Sequence, residues 1–327
     1  MKIGLISAAA LFILLFIHCS PYSRPKSVPV AKEKAFDSYL LGLEAYKKGN
    51  YSDALNHVKK AIAINNHFAQ FYDLEGNIYL SIGDKENALT AFYTAISYRS
   101  NFTTVLAQIG DIYFSQGKFT KAVQFFNKAL SSDNSAYSIY LNLADSYLQM
   151  GDDAQALFSL KEYQRFLVQH DKKPEKRYHI IAGEIYFRLE RFNDSIKELK
   201  QADSTKKVLR LLGRNYYALK DYDTGLTYFN ILMNRDQSEG LWYFYRAIYF
   251  YHKNNDDDAL SQFQQALRLD PTLYDAHYFI GKIYERNKEY HSAWESFRLF
   301  RESMQEKDEL RYIREKVILP DDSFLID

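Results

Sequence analysis

Residues 110–122 read GDIYFSQGKFTKA, and nearly the same line is written three more times: GLEAYKKGNYSDA at 42–54, GNIYLSIGDKENA at 76–88 and ADSYLQMGDDAQA at 144–156. Each copy begins 34 residues after the one before. The opening residue is small (Gly42, Gly76, Gly110, Ala144), a glycine follows seven residues later (Gly49, Gly83, Gly117, Gly151), and each line closes on alanine. Beyond residue 156 the small residue returns at Gly183, Gly213, Ala247 and Gly281, the last three again 34 apart. Ten of the 13 glycines occupy only two positions of this period. A fixed period of this length is the signature of a repeat architecture.

Each unit reads as two helices. Leu143, Ala144 and Tyr147 fall on one helical face, as do Ile109, Gly110 and Tyr113. A glycine inside a helix costs about 1 kcal/mol against alanine, so its recurrence predicts the close approach of a neighbouring helix. Gly49, Gly83, Gly117 and Gly151 stand where the first helix ends in a left-handed residue. In the second helix Ala88, Phe92 and Ala95 are spaced i, i+4, i+7, and Ala122, Phe126, Ala129 and Ala259, Phe263, Ala266 match them.

This pattern closely resembles the tetratricopeptide repeat (TPR) family: small at position 8, Tyr at 11, Gly at 15, Ala at 20, an aromatic at 24 and Ala at 27. Repeats fall at 35–68, 69–102, 103–136, 137–170, 176–205, 206–239, 240–273 and 274–307. The resemblance implies an all-α fold, a right-handed α-solenoid of about eight helix-turn-helix units. Asp308 to Lys316 reads as a capping helix in a tail over 308–327. Departures are Tyr163, Leu232 and Phe300 at position 27, which predict looser packing after repeats 4 and 6 and at the end of repeat 8. Tyr79, Tyr113, Tyr147, Tyr186, Tyr216 and Tyr284 take position 11 and read as core, which accounts for much of the 16% aromatic content.

The period is broken once. Ala144 to Gly183 is 39 residues and Gly183 to Gly213 is 30. The insertion lies at 171–175, around Asp171-Lys172-Lys173-Pro174, and the deletion follows Ala202. Stacking depends on constant repeat length, so this break predicts a change of superhelical direction and a division into 35–170 and 176–307.

The amino terminus reads as an address. Ile3 to Ile17 is an apolar run behind Lys2, too short to span a bilayer as a helix and of signal-peptide length. Cys19, the only cysteine in 327 residues, follows it. The arrangement resembles that of bacterial lipoproteins, in which the thiol is diacylated after cleavage just before it, although His18 departs from the small residue usual there. Residues 1–18 are then a signal peptide and 19–34 a lipid-anchored tether, holding three of the six prolines. Ser20 fits outer-membrane retention, and the expected location is the periplasmic side of the outer membrane.

Composition excludes other classes. With 42 basic and 41 acidic residues the chain lacks the charge footprint of a nucleic-acid binder. One cysteine excludes an internal disulfide and a cysteine-based zinc site. His179 and His277 occupy position 4, a packing slot. Asn254, Asp256 and Asp258 begin like a calcium loop, but Ala259 and Gln265 stand where Gly and Glu are needed, so they read as an acid-rich helix start. No catalytic, metal or cofactor site is expected. The enzyme alternative, a glycan-cleaving one, rests on Glu184 between Arg177 and Arg188.

What remains is the concave face, which in this family is lined by first-helix positions 2, 5, 9 and 12. Repeats 2–4 place Asp73, Asn77, Asp111 and Asp145 there. Repeat 6 places Lys207, Arg210, Arg214 and Tyr217; repeat 7 Leu241, Phe244, Ile248 and Tyr251; repeat 8 Asp275, Tyr278, Lys282 and Glu285. Repeat 1 places Phe36, Tyr39, Leu43 and Tyr46. Trp242 to Tyr251 carries seven aromatics in ten residues, so this helix is apolar all round and must be buried or adhesive. The expected partner site is therefore Arg210, Arg214, Tyr217, Leu241, Phe244, Ile248, Tyr251, Tyr278 and Lys282, taking a peptide or helix with an apolar anchor and an acidic group. The family's peptide-carboxylate clamp is not carried over, because Arg210 and Arg214 replace its Lys and Asn. The sequence thus reads as a non-catalytic, lipid-anchored scaffold binding a protein or peptide partner in the bacterial envelope. A structural homo-oligomer filling its own groove is the alternative.

Overall fold

Glycine and asparagine at the ends, with alanine and aromatics on the inner faces, set out sixteen helices between Val30 and Gln305. A computed structural model describes residues 30–305 of the chain, and the helices pair in chain order. The pairs are α1 (Val30–Lys47) with α2 (Tyr51–Ile64), α3 (Ala69–Ser81) with α4 (Lys85–Tyr98), and α5 (Thr103–Ser115) with α6 (Phe119–Ser132). They continue as α7 (Ile139–Met150) with α8 (Asp153–Gln169), α9 (Lys176–Arg188) with α10 (Phe192–Leu199), and α11 (Lys206–Ala218) with α12 (Tyr222–Arg235). The last are α13 (Gly240–His252) with α14 (Asp256–Leu269), and α15 (Asp275–Arg286) with α16 (Tyr290–Gln305). These are the eight helical hairpins that the period predicts. The signal segment, Cys19, the tether to residue 29 and the capping helix and tail over 308–327 lie outside the described residues. Tether residues 30–34 are already helical, as the first turn of α1.

The recurring residues do what their positions require. Gly49, Gly83, Gly117 and Gly151 have φ of 79°, 85°, 72° and 77°, the left-handed conformation that ends each first helix. The residue after the turn caps the second helix: Asp84, Asp152 and Asp221 accept hydrogen bonds from the backbone N–H of Asn87, Gln155 and Thr224 at 3.1, 3.0 and 3.2 Å. The glycine within the first helix is a packing requirement. A Cβ built on Gly281 would stand 2.6 Å from the ring of Phe297, and one on Gly213 2.7 Å from Phe229.

The chain forms two compact units, to Asn134 and from Ser135. This is one repeat earlier than the 171–175 boundary read from the spacing. The irregular stretch lies inside the second unit, where α9 packs on both α7 and α8. The spacing anomalies have a local cause: α8 runs 17 residues and α10 only 8, against 14 for α2, α4 and α6. Tyr163 and Leu232, expected to loosen the packing, are both buried, and Tyr163 stacks on Tyr178 of the next repeat with centroids 5.6 Å apart. The larger side chain fills the gap that alanine would leave to the following helix.

The first unit's core joins Ala54, Val58, Ala61, Phe71, Leu74 and Ile78. The largest core of the second unit surrounds Trp242, Phe244, Phe229 and Phe263.

Candidate functional site

Positions 5, 9 and 12 of a helix share a strip, so each unit presents a face built from its first helices. In the second unit the nine residues expected to bind a partner divide. Tyr217, Phe244, Ile248 and Tyr278 are buried, Phe244 completely. The Phe244 ring meets Phe263 and Phe279 edge-on, centroids 5.7 and 6.1 Å away. Tyr217 donates its hydroxyl to the Tyr245 carbonyl at 2.7 Å, and burial pushes its phenol well above the ordinary range. The expected anchor pocket is therefore core. The aromatic run puts rings on every side of α13, and α15 contributes Phe279 to close over them.

Arg210, Arg214, Leu241, Tyr251 and Lys282 are partly exposed. The Arg214 guanidinium lies 4.5 Å over the Phe187 ring. Burial pushes the Tyr245 phenol up against the pull of Arg214 and Arg210, so both arginines act on a buried group of their own chain. Arg286 covers Tyr251 at 4.8 Å, and Lys282 pairs with Glu285 at 3.2 Å. Elsewhere on this face position 2 of one repeat meets position 9 of the repeat before. Arg177 donates to Asn142 at 2.6 Å and Asp145 at 3.1 Å, and Lys207 pairs with Glu184 at 2.5 Å. Glu184 is thus held by Lys207, while Arg188 pairs with Asp153 at 3.3 Å; the carboxylate considered for catalysis is a rung of this ladder. His179 Nδ1 is 2.8 Å from Glu198, and Arg286 binds Asp256 and, at 2.8 Å, Asn254. These residues tie helices together.

The first unit's face differs. Tyr46, Leu80 and Phe114 occupy position 12 of α1, α3 and α5, and all three are half-exposed. Of their five counterparts in the second unit Leu148, Phe187 and Tyr217 are buried, Tyr251 is half-exposed beneath Arg286 and Glu285 is exposed. The Tyr46 hydroxyl lies 3.3 Å from Ser81 Oγ, so α1 and α3 approach each other beside this row. Beside it, Asn77 donates to the Asp73 carboxylate and carbonyl, both at 2.8 Å, and Gln108 on α5 donates to Asn77. Burial pushes the Asp73 carboxyl up to about 6, against the Asn77 hydrogen bond. Tyr39 is half-buried near Asp73, and its phenol is raised by burial and then by that acid. Sequence reading found Asp73, Asn77 and Asp111 on this face but passed over Leu80 and Phe114. An apolar or aromatic residue stands at position 12 in seven consecutive repeats, Tyr46 to Tyr251, so the sequence pattern alone did not separate the exposed ones from the buried.

Family models described as tetratricopeptide repeat and TPR repeat match residues 39–102, 110–151 and 249–288. The matched repeats are tetratricopeptide repeats. TPR chains act as protein-interaction scaffolds and are typically non-catalytic. No curated protein matches the sequence. Among solved structures, one of PilF from Pseudomonas aeruginosa is 18% identical with TM-score 0.54, over 63% of this chain and 94% of that one. A TPR protein from Parabacteroides merdae is 14% identical with TM-score 0.53, over 77% and 98%. PilW, described as a widely conserved type IV pilus biogenesis factor, is 17% identical with TM-score 0.52, over 61% and 92%. At these identities the likeness is one of TPR fold.

Proposed function

We propose that this TPR chain is a non-catalytic scaffold that recruits a protein partner through the first-helix face of its first unit. The observation that carries this is the row Tyr46, Leu80 and Phe114: three half-exposed apolar side chains in one register in three consecutive repeats, where repeats 4, 5 and 6 of the second unit bury Leu148, Phe187 and Tyr217 and, of its remaining two, repeat 7 covers half-exposed Tyr251 with Arg286. Large apolar side chains held side by side on a rigid face are interface anchors. Attachment to the bacterial envelope belongs to the same proposal. It is supported by the apolar run Ile3 to Ile17 followed by the lone Cys19, whose acyl chains would contribute about 0.8 kcal/mol per buried CH₂. The fold likeness to PilF and PilW is compatible with a role in envelope assembly.

Two comparisons test it. Cys19→Ala should move the chain from the membrane pellet of fractionated cells to the supernatant; persistence in the membrane pellet removes the lipid anchor. Leu80→Asp should lose proteins crosslinked to the wild-type chain in envelope preparations, while Phe158→Asp, at an exposed site of the second unit, should keep them. The reverse pattern would refute the site.

A further inference from the structure

The face that carries Tyr46, Leu80 and Phe114 has a marked charge bias. Positions 2, 5, 9 and 12 of the first three repeats hold two acids, Asp73 and Asp111, and no basic residue. The same positions in the second unit hold five basic residues, Arg177, Lys207, Arg210, Arg214 and Lys282, beside four acids, Asp145, Glu184, Asp275 and Glu285.

Asp73 is the informative acid. It is half-buried, and among the described residues no lysine, arginine or histidine pairs with it; its hydrogen bonds come from the neutral Asn77. Two acids on the second unit's face, at position 9 where Asp73 is at position 5, do have a cation: Asp145 and Glu184 pair with Arg177 and Lys207 of the next repeat. Removing a carboxylate from water without a cation is unfavourable, which is why burial holds Asp73 above the usual carboxylate range. The hydrogen-bonded chain that starts at Asp73 ends at Gln108, whose Oε1 is buried and accepts no hydrogen bond among the described residues. The strip thus offers acceptors in excess of donors. Half-exposed Tyr39 adds an aromatic ring near the carboxylate.

Resting on the reading of this face as the docking surface, we infer that its occupant is a basic segment of a separate protein, with apolar side chains on the Tyr46–Leu80–Phe114 row and a lysine or arginine against Asp73. This reverses the partner polarity expected from the sequence, which called for an acidic group opposite Arg210 and Arg214. A cation at Asp73 supplies from outside the charge that Arg177 and Lys207 supply internally in the second unit. Carboxylates across an interface discriminate between partners more than they add raw affinity, so Asp73 is assigned the choice between basic and acidic segments.

The test uses the full-length chain in detergent and two fluorescein-labelled peptides, one of repeated Leu-Lys-Ser triplets and one with glutamate in place of every lysine. Fluorescence anisotropy at low and at physiological salt should show the lysine peptide bound at least about tenfold tighter than its counterpart. Asp73→Asn, which keeps shape and hydrogen bonding, should remove most of that preference while leaving the thermal unfolding midpoint no lower. Equal binding of both peptides, binding of neither, or an unchanged preference in Asp73→Asn overturns the proposal. Leu80→Gln separates it from the reading beneath. If Leu80→Gln abolishes binding and Asp73→Asn does not, the docking surface stands and the cation assignment fails. If neither matters, both fail. Self-association of the wild-type chain that is abolished by Asp73→Asn identifies a second copy as occupant and overturns the assignment to a separate protein.

Discussion

Asp73 and Phe244 show how far a residue's position in the repeat settles its role. Both sit at position 5 of a first helix, one half-exposed and polar, the other completely buried. Spacing placed both on the inner face, and nothing in it reports what lies opposite; Phe279 and Phe263 close over Phe244, whereas Asp73 meets Asn77. Two predictions belong here. Phe244→Ala should lower stability by roughly 3–5 kcal/mol, as for a buried aromatic, measured by denaturant unfolding of the full chain. For Asp73 the native state holds its proton up to about pH 6, above the unfolded value near 4. The native state therefore binds more protons, and stability falls as pH rises between those values. Asp73→Asn should raise stability at pH 7 by on the order of 2 kcal/mol, with partial exposure allowed for, and the two proteins should converge below about pH 4. A constant difference across pH would remove the buried-carboxylate explanation.

Hairpins were the most legible feature of the chain, because each depends on a few residues whose chemistry is local. Glycine at position 15 marks the end of a first helix wherever it occurs. The later repeats use Glu190, Lys220, Asn254 and Lys288 in the same left-handed conformation, with φ of 58°, 61°, 55° and 63°. A side chain there costs about 1–2 kcal/mol that glycine avoids, offset in part by the entropy glycine loses. Lys220→Gly and Lys288→Gly should each stabilise by about 0.5–1 kcal/mol, and Gly117→Ala should destabilise by a similar amount, read from thermal melts. At position 8 the cause is packing instead of backbone conformation: Gly281→Ala puts a methyl group against Phe297 and should cost about 1–3 kcal/mol. Less legible was the irregular stretch. The spacing located an insertion and a deletion but could not tell that they lengthen α8 and shorten α10, since both helices keep their inner faces. The stack of Tyr163 on Tyr178 joins repeats that the spacing had separated.

On the scale of the whole molecule, two compact units use the same repeat for different ends. The second unit closes its first-helix face with its own aromatics and with Arg–Asp and Lys–Glu rungs. The first leaves apolar side chains there and, at Asp73, an acid with no cation among the described residues. Aromatic density suggests adhesion and so pointed to the second unit, yet seven rings in ten residues on one helix are more than a surface strip can hold, and most turn inward. Site-specific photocrosslinking in intact cells tests this division directly. A benzophenone amino acid placed at Phe114 should yield an adduct with a protein partner, and the same group at Tyr251 should not. An adduct from Tyr251 with none from Phe114 would contradict the account.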